Sequence, residues 1–414
     1  VSQESHSKRH KDSGLASYLP DRHTFSNSIT AYLFCTTGPL AILVAAGQAG
    51  GLSESDLSSW IFGGYGFAGI ITLWICWRYR QPLVIAWTIP GALLLPPALT
   101  HLSFSEVIGA YWVTGIVIAI LGWSGLIGRV MRAIPMPIVM GMVAGVFLPL
   151  GIQVITAFTD NAFLAGATLF VFLFFTLVPA LGRYIPPVLA AIIAGGITAW
   201  AIGAMTPIPE TTRLFAWPTL YVPSFSIQAM LELVIPLMVT VLGIQNAQGI
   251  AILKNAGYEA PVKTITTTTG WGSILLALTG SVPACLTGPV NGIIVSGGDP
   301  KKHWIGAMIV GLLMIVFAVF APLATAFALA LPLSLIGLIG GLAMMRVLQT
   351  TFQAAFRGEC PLGALVSFVV SVAGVPILNI GAPFWGLVFA VIASWLLERD
   401  SLRRLMNPDT TTNV

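Results

Sequence analysis

Apolar runs bounded by charge or turn residues fall near 28–47, 59–77, 82–98, 105–124, 135–154, 161–180, 184–203, 228–250, 264–280, 284–297, 303–321, 324–344, 362–376 and 380–397. That is roughly fourteen spans on the ~20-residue criterion for crossing a bilayer as a helix. The third, tenth and thirteenth are short or broken. The stretch 281–298, SVPACLTGPVNGIIVSGG, is apolar enough to enter a bilayer, yet its prolines, glycines and central polar pair forbid one uninterrupted helix. The pattern predicts an extended run over 284–286, a new helix capped by Thr287, and Pro289 in the first turn, where a missing N–H costs nothing. The stretch 81–99, QPLVIAWTIPGALLLPPAL, has the same grammar: an extended run, Thr88, then Pro90 and Gly91 opening a helix.

Composition settles the class. With 56% hydrophobic residues, 8% charged residues and a mean hydropathy of +0.90, no water-exposed surface can be built, so a soluble domain is excluded. The expected fold is an all-α polytopic membrane protein. The net charge of +4 does not point to nucleic acid, because Lys and Arg fall in short clusters between apolar runs. With the N-terminus inside, Arg78, Arg80, Arg129, Arg132, Arg183, Lys254, Lys263, Lys301, Lys302, Arg346, Arg357, Arg399, Arg403 and Arg404 all fall on the cytoplasmic side, and Arg213 alone lies outside. One missed span would invert everything after it and scramble this bias. Both termini are therefore expected in the cytoplasm, and the polar, basic start of the chain reads as a cytosolic tail rather than a signal peptide. Cys35, Cys76, Cys285 and Cys360 have no metal-ligand spacing and read as small core residues.

The two halves resemble one another. Gly141, Gly145 and Gln153 recur as Gly337, Gly341 and Gln349, Gly64-Tyr65-Gly66 recurs as Gly270-Trp271-Gly272, and Thr88-x-Pro90 echoes Thr287-x-Pro289. A unit of seven spans is odd, so its second copy enters the membrane upside down: a 7+7 inverted repeat with the two broken spans facing each other near the midplane. The expected division is a tail at 1–27, a first repeat at 28–203, an external linker at 204–227, a second repeat at 228–397 and a tail at 398–414.

Two interrupted spans at corresponding places are a pointer to a transporter binding site. Each broken span offers unpaired N–H groups and about half a positive charge at its helix start, so two such ends facing one cavity make an anion site without Lys or Arg. No Lys or Arg falls well inside any expected span. Kinking of two packed helices is the competing reading. The expected substrate-binding residues are Trp87, Thr88, Pro90 and Gly91 on the first broken span, Thr287, Gly288 and Asn291 on the second, and Gln245 and Asn246 on the eighth. Amides cannot face lipid cheaply and must meet protein or a cavity. Gln248 belongs to the same polar cluster, and Tyr32, Phe34 and Trp271 lie in or near the spans that wrap the site. Glu232 is the proton-coupling candidate, as the most membrane-embedded carboxylate, followed by Glu106; a solvated span end is the alternative for both. All five histidines fall in tails or loops, so no embedded histidine relay is expected. No cofactor or metal is implied, for want of a Walker lysine or HExxH motif.

The run 235–258, IPLMVTVLGIQNAQGIAILKNAGY, followed by the broken LTGPVNGII, resembles the BenE-type benzoate–proton symporters of the bacterial inner membrane. The resemblance covers about 25–404. It implies kinship with nucleobase/ascorbate transporters and sulfate/anion exchangers: a core domain of spans 1–4 and 8–11, a gate domain of spans 5–7 and 12–14, and substrate held between spans 3, 8 and 10. Nucleobase carriers place carboxylates in spans 8 and 10, where this chain has Gln245, Asn246 and Asn291. The expected function is proton-coupled import of benzoate or a similar aromatic monocarboxylate by alternating access. The alternatives are the same fold carrying a nucleobase or inorganic anion, or a passive anion channel. The expected partners are the anion, a proton and the lipid bilayer, without nucleic acid, and pairing into a homodimer is left open.

Overall fold

The computed structural model describes residues 19–127, 135–178, 181, 185–208, 214–215, 217–378 and 380–406. The expected tail up to residue 18, the end of the tail after 406, and Arg129, Arg132, Arg183 and Arg213 lie outside the described residues. Among those described, seven helices are long and apolar enough to cross a membrane, and five shorter apolar helices accompany them. The first long helix is interrupted at Thr37, between Arg22–Thr36 and Gly38–Ala49, where the backbone leaves helical geometry at φ −109, ψ −84 and Pro39 sits in the first turn of the second half.

Both broken spans form as the sequence predicts. Strands Ile85–Trp87 and Ala284–Leu286 pair antiparallel, Ile85 opposite Leu286 and Trp87 opposite Ala284. Each strand runs straight into a short helix, Ile89–Ala92 and Gly288–Ile294, with Pro90 and Pro289 in the first turn. Because the strands are antiparallel, the two helices leave in opposite directions and both begin beside the same two-stranded ribbon.

A bare ribbon could not exist within a bilayer, since each unpaired backbone group would cost several kcal/mol there. Side chains from neighbouring helices complete it. Thr72 Oγ1 accepts from Ile85 N at 2.9 Å, and Ser273 Oγ accepts from Ala284 N at 3.0 Å, the same device in both repeats. Asn246 Oδ1 accepts from Leu286 N at 2.7 Å, and Asn291 Oδ1 accepts from Val84 N at 3.0 Å. The residue that stands where Val84 would be in the second repeat is Pro283, which has no N–H to satisfy; only its carbonyl is used, by Thr88 N at 2.9 Å. That explains why one repeat needs an asparagine that the other does without.

Around the ribbon, helices meet backbone to backbone through glycine. Helix Phe104–Ser124 packs on Val262–Ala277, and a Cβ on Gly270 would lie 2.3 Å from Ala119 N. In a second group, helix Met136–Asp160 packs on Leu333–Phe356 and Pro361–Ala373, and a Cβ on Gly341 would lie 2.3 Å from Leu150 O. Gly270→Ala is expected to destabilise the protein by roughly 1–3 kcal/mol, the usual cost of overpacking. A thermal-shift measurement in nanodiscs tests this, and an unchanged midpoint would show that the helices can part without penalty.

The basic residues gather on one face. Gln81 Nε2 donates to Glu259 O, Tyr79 and Thr264 bond through their hydroxyls, and Tyr258 Oη donates to Pro300 O, so the loops carrying Arg78, Arg80, Lys254, Lys263, Lys301 and Lys302 are knitted together. There, too, Asp21 caps the first helix and accepts from Asp299 N; hydrogen bonds from Thr24 hold its carboxyl well below the usual carboxylate range. On the opposite face the linker packs down, with Tyr221 donating to Asp56 and stacking edge-on against Phe104.

Three expectations are corrected. The run read as 324–344 is two elements, Ala321–Ala330 and Leu333–Phe356, because Pro332 stops the chain from continuing as one helix. Arg346 consequently lies within the second half of a spanning helix, not in a loop. The Tyr65/Trp271 correspondence does not extend to environment: Tyr65 is fully buried, whereas Trp271 is 63% exposed and does not wrap the site.

Candidate functional site

Where the two half-helices begin, a cavity of about 260 Å³ opens between the ribbon and the Met136–Asp160 and Leu333–Phe356 pair. It is just below the ~300 Å³ at which sites for drug-sized ligands begin, a size suited to a single-ring molecule. Its lining extends to Met140 near the start of one helix and to Thr351 and Ala354 near the end of the other, so it extends toward the basic face.

The elements that shape it are set by local chemistry. Thr88 caps the first half-helix, its Oγ1 accepting from Gly91 N at 3.3 Å and donating to Thr240. Thr287 occupies the equivalent cap position, yet its hydroxyl makes no cap bond, so the start of Gly288–Ile294 is left open. Trp87 lines the cavity and is held edge-on against Tyr65, whose Oη donates to Cys35 O at 2.8 Å. Phe34, Phe147 and Met344 complete an apolar wall.

The polar side comes from the long helix that begins at Ile227. It widens into π-helical turns over Val239–Asn246 before Ala247–Asn255, a feature frequent at functional sites. Gln245 and Gln248 both line the cavity. Among the described residues no protein group is hydrogen-bonded to either amide. Gly288 gives Gln248 room, since a Cβ there would lie 2.8 Å from its Oε1. No residue lining this cavity is charged. An anion bound here would be met by helix starts, two free amides and hydroxyls.

Of the expected site residues, Trp87, Pro90, Gln245 and Thr287 line the cavity. Thr88, Gly91, Asn246, Gly288 and Asn291 stand behind the lining. Asn246 is committed to Leu286 N and Thr269, and Asn291 to Val84 N and Thr287 O, the last at 2.7 Å. These two amides serve the ribbon's backbone. Gln248 was legible as a polar group in an apolar span, but nothing in the sequence singled it out from Asn246. Phe147 and Met344 carried no signal at all, because they reach the site from helices far away in sequence.

Glu232 lies elsewhere. It precedes Gln245 by thirteen positions on the same long helix, toward the face opposite the basic one. Its Oε2 lies 2.9 Å from His101 Nε2. His101 lies in a turn, as the sequence indicates, and the fold brings its ring against this buried acid.

The family description "Benzoate membrane transport protein" (BenE) matches residues 21–396. The chain is 32% identical to "Inner membrane protein YdcO" of Escherichia coli over 84% of this chain and 89% of that one. It is 29% identical to "Benzoate membrane transport protein" of Acinetobacter baylyi over 89% and 93%. Among solved structures, the transmembrane domain of a cyanobacterial bicarbonate transporter, BicA, aligns with TM-score 0.59 at 16% identity over 89% of this chain and 97% of that chain. SLC26A9 aligns with TM-score 0.60 at 13% identity over 90% and 64%. At such identities these two establish the fold alone, an inverted repeat of seven plus seven.

Proposed function

The chain belongs to the benzoate membrane transport protein family, and from that premise we propose that it imports benzoate or a similar aromatic monocarboxylate together with a proton across the bacterial inner membrane by alternating access. It is a multi-pass membrane transporter. The observation that carries the finer reading is the uncharged cavity, in which two half-helix starts and the unpaired amides of Gln245 and Gln248 face an aromatic wall. A carboxylate rests at the helix starts, where partial positive charge and free N–H groups stabilise it without a buried cation to desolvate. The amides orient it, and Trp87, Phe34 and Phe147 take the ring.

The basic face is cytoplasmic on this reading, by the same bias that governs loops of membrane proteins generally. On the same reading the cavity, whose lining extends toward the basic face, faces the cytoplasm. Entry of an anion against an inside-negative potential costs about 2.3 kcal/mol per 100 mV, so accumulation requires a co-transported cation. A proton is that cation, with Glu232 as the group proposed to bind it.

The test is uptake of labelled benzoate into proteoliposomes with and without an imposed gradient, acidic outside. Accumulation above equilibrium that collapses with the gradient is expected. Equilibration without accumulation would indicate a passive channel, and gradient-driven accumulation of labelled uracil or bicarbonate with no uptake of labelled benzoate would reassign the cargo.

A further inference from the structure

Away from the substrate cavity, helices Ala68–Tyr79 and His303–Val319 pack side by side. Gly69 lets their backbones touch, since a Cβ there would lie 2.5 Å from Gly311 O. Beside that contact a groove of about 540 Å³ opens and runs to the basic face. Its walls are two helical stripes, Leu73, Trp77 and Arg80 on one side and Trp304, Met308 and Leu312 on the other. Trp77 and Leu312 are each more than half exposed, as side chains that meet lipid are. The stripe from Trp304 to Leu312 spans about 12 Å at ~1.5 Å per residue, most of the ~15 Å of hydrocarbon in one leaflet.

Among the lining residues only Arg80 is charged. It follows the last turn of its helix in the left-handed conformation, φ 51 and ψ 36, where glycine is the ordinary occupant. Its guanidinium lies over the ring of Trp304, 4.0 Å from the centroid. Stacked in this way, a guanidinium keeps its N–H donors in its own plane, as the fork that matches a phosphate. Lys301 and Lys302 immediately precede the helix that carries Trp304, which makes the mouth of the groove positive. Asp299 offsets one of these charges and caps the intervening turn, accepting from Lys301 N at 2.9 Å. Tryptophan is also a residue type that settles at the level of lipid headgroups. A groove of similar volume, about 560 Å³, lined among others by Leu40, Ile193, Phe327 and Ile336, carries no charged residue and gives a headgroup nothing to bind.

We propose that the groove between Ala68–Tyr79 and His303–Val319 binds an anionic phospholipid of the leaflet at the basic face: the phosphate accepts from Arg80, and one acyl chain lies along Trp77, Met308 and Leu312. The ligand is amphiphilic because the walls are apolar along the membrane and the cation stands at their end. An anionic head is favoured over a zwitterionic one, since no carboxylate lines the groove to meet a choline or ethanolamine. The bound lipid braces the helix pair on which the ribbon depends, because Thr72 of the first helix accepts from Ile85 N. The inference uses the membrane class of the chain and not its cargo, so failure of the import reading leaves it standing.

Native mass spectrometry tests this, on the intact protein released from detergent with equal amounts of phosphatidylglycerol and phosphatidylcholine of the same acyl chains. The first lipid retained should be phosphatidylglycerol by about tenfold, the scale of a charge-assisted contact. Arg80→Gly removes the guanidinium while placing the preferred residue in the left-handed position, so the fold is kept and the preference should fall to near parity. Met308→Trp, which fills the groove and keeps the cation, should lower retention of phosphatidylglycerol about as much. Lys254→Ala removes an equal charge from the same face outside the groove and should keep the wild-type preference. Equal retention of the two lipids by the wild type, or wild-type selectivity in Arg80→Gly or Met308→Trp, overturns the proposal. So does loss of selectivity in Lys254→Ala, which would reduce the effect to net charge. Displacement of phosphatidylglycerol by inorganic phosphate overturns it as well, since Arg80 would then be a site for the free anion.

Discussion

Asn291→Leu is expected to loosen the centre of the protein, not merely to slow transport. Asn291 is fully buried, and its carboxamide behaves as a third strand segment for the ribbon, accepting from Val84 N and donating to Thr287 O. Leucine of similar size leaves Val84 N without an acceptor at a depth where no water can replace it. A buried group orphaned in this way costs about 1–3 kcal/mol, and the bilayer gives no relief. The strand would draw away from the second half-helix, and the two helix starts would lose their alignment. Uptake should be lost and the thermal midpoint in nanodiscs lowered together. Asn246→Leu should behave alike, since it orphans Leu286 N in the same manner. A wild-type midpoint combined with a raised KM would make Asn291 a substrate ligand after all.

Gln245→Leu should do the reverse. Its amide lines the cavity with no hydrogen-bonded protein partner among the described residues, so removal orphans nothing in the empty protein. Its effect should fall on the bound anion, where a hydrogen bond to a charged group is worth about 1.5–3 kcal/mol. KM for benzoate is therefore expected to rise about 10- to 100-fold with the thermal midpoint unchanged. Gln248→Leu should add to it, because both amides face the same guest. Measured KM values equal to the wild type would remove the amides from the site and leave the helix starts to act alone.

The contrast between these two positions shows where sequence reading stops. Gln245 and Asn246 are neighbours, both amides in an apolar run, and composition and hydropathy treat them alike. The fold turns them to different sides of the helix, sending one to the cavity and the other to Leu286 N. Only the position of strand Ala284–Leu286 beside that helix tells which is which. His101 makes the same point from the other direction. By sequence it is a loop residue, and its importance comes from Glu232, which the chain places 131 positions away.

What the sequence determined by itself is what short-range physics controls. A bilayer demands about twenty apolar residues per helix, proline and glycine dictate where a helix must break, and threonine before Pro90 and Pro289 marks where the next one starts, so the polytopic membrane class and the two interruptions were legible in order along the chain. The tertiary structure alone decided which polar groups face the cavity and which complete the ribbon, and that Gly381 rests on Glu232. Those outcomes depend on which distant segments come within about 3 Å of one another, the range at which a hydrogen bond forms or a methyl group clashes, and no local pattern carries that distance.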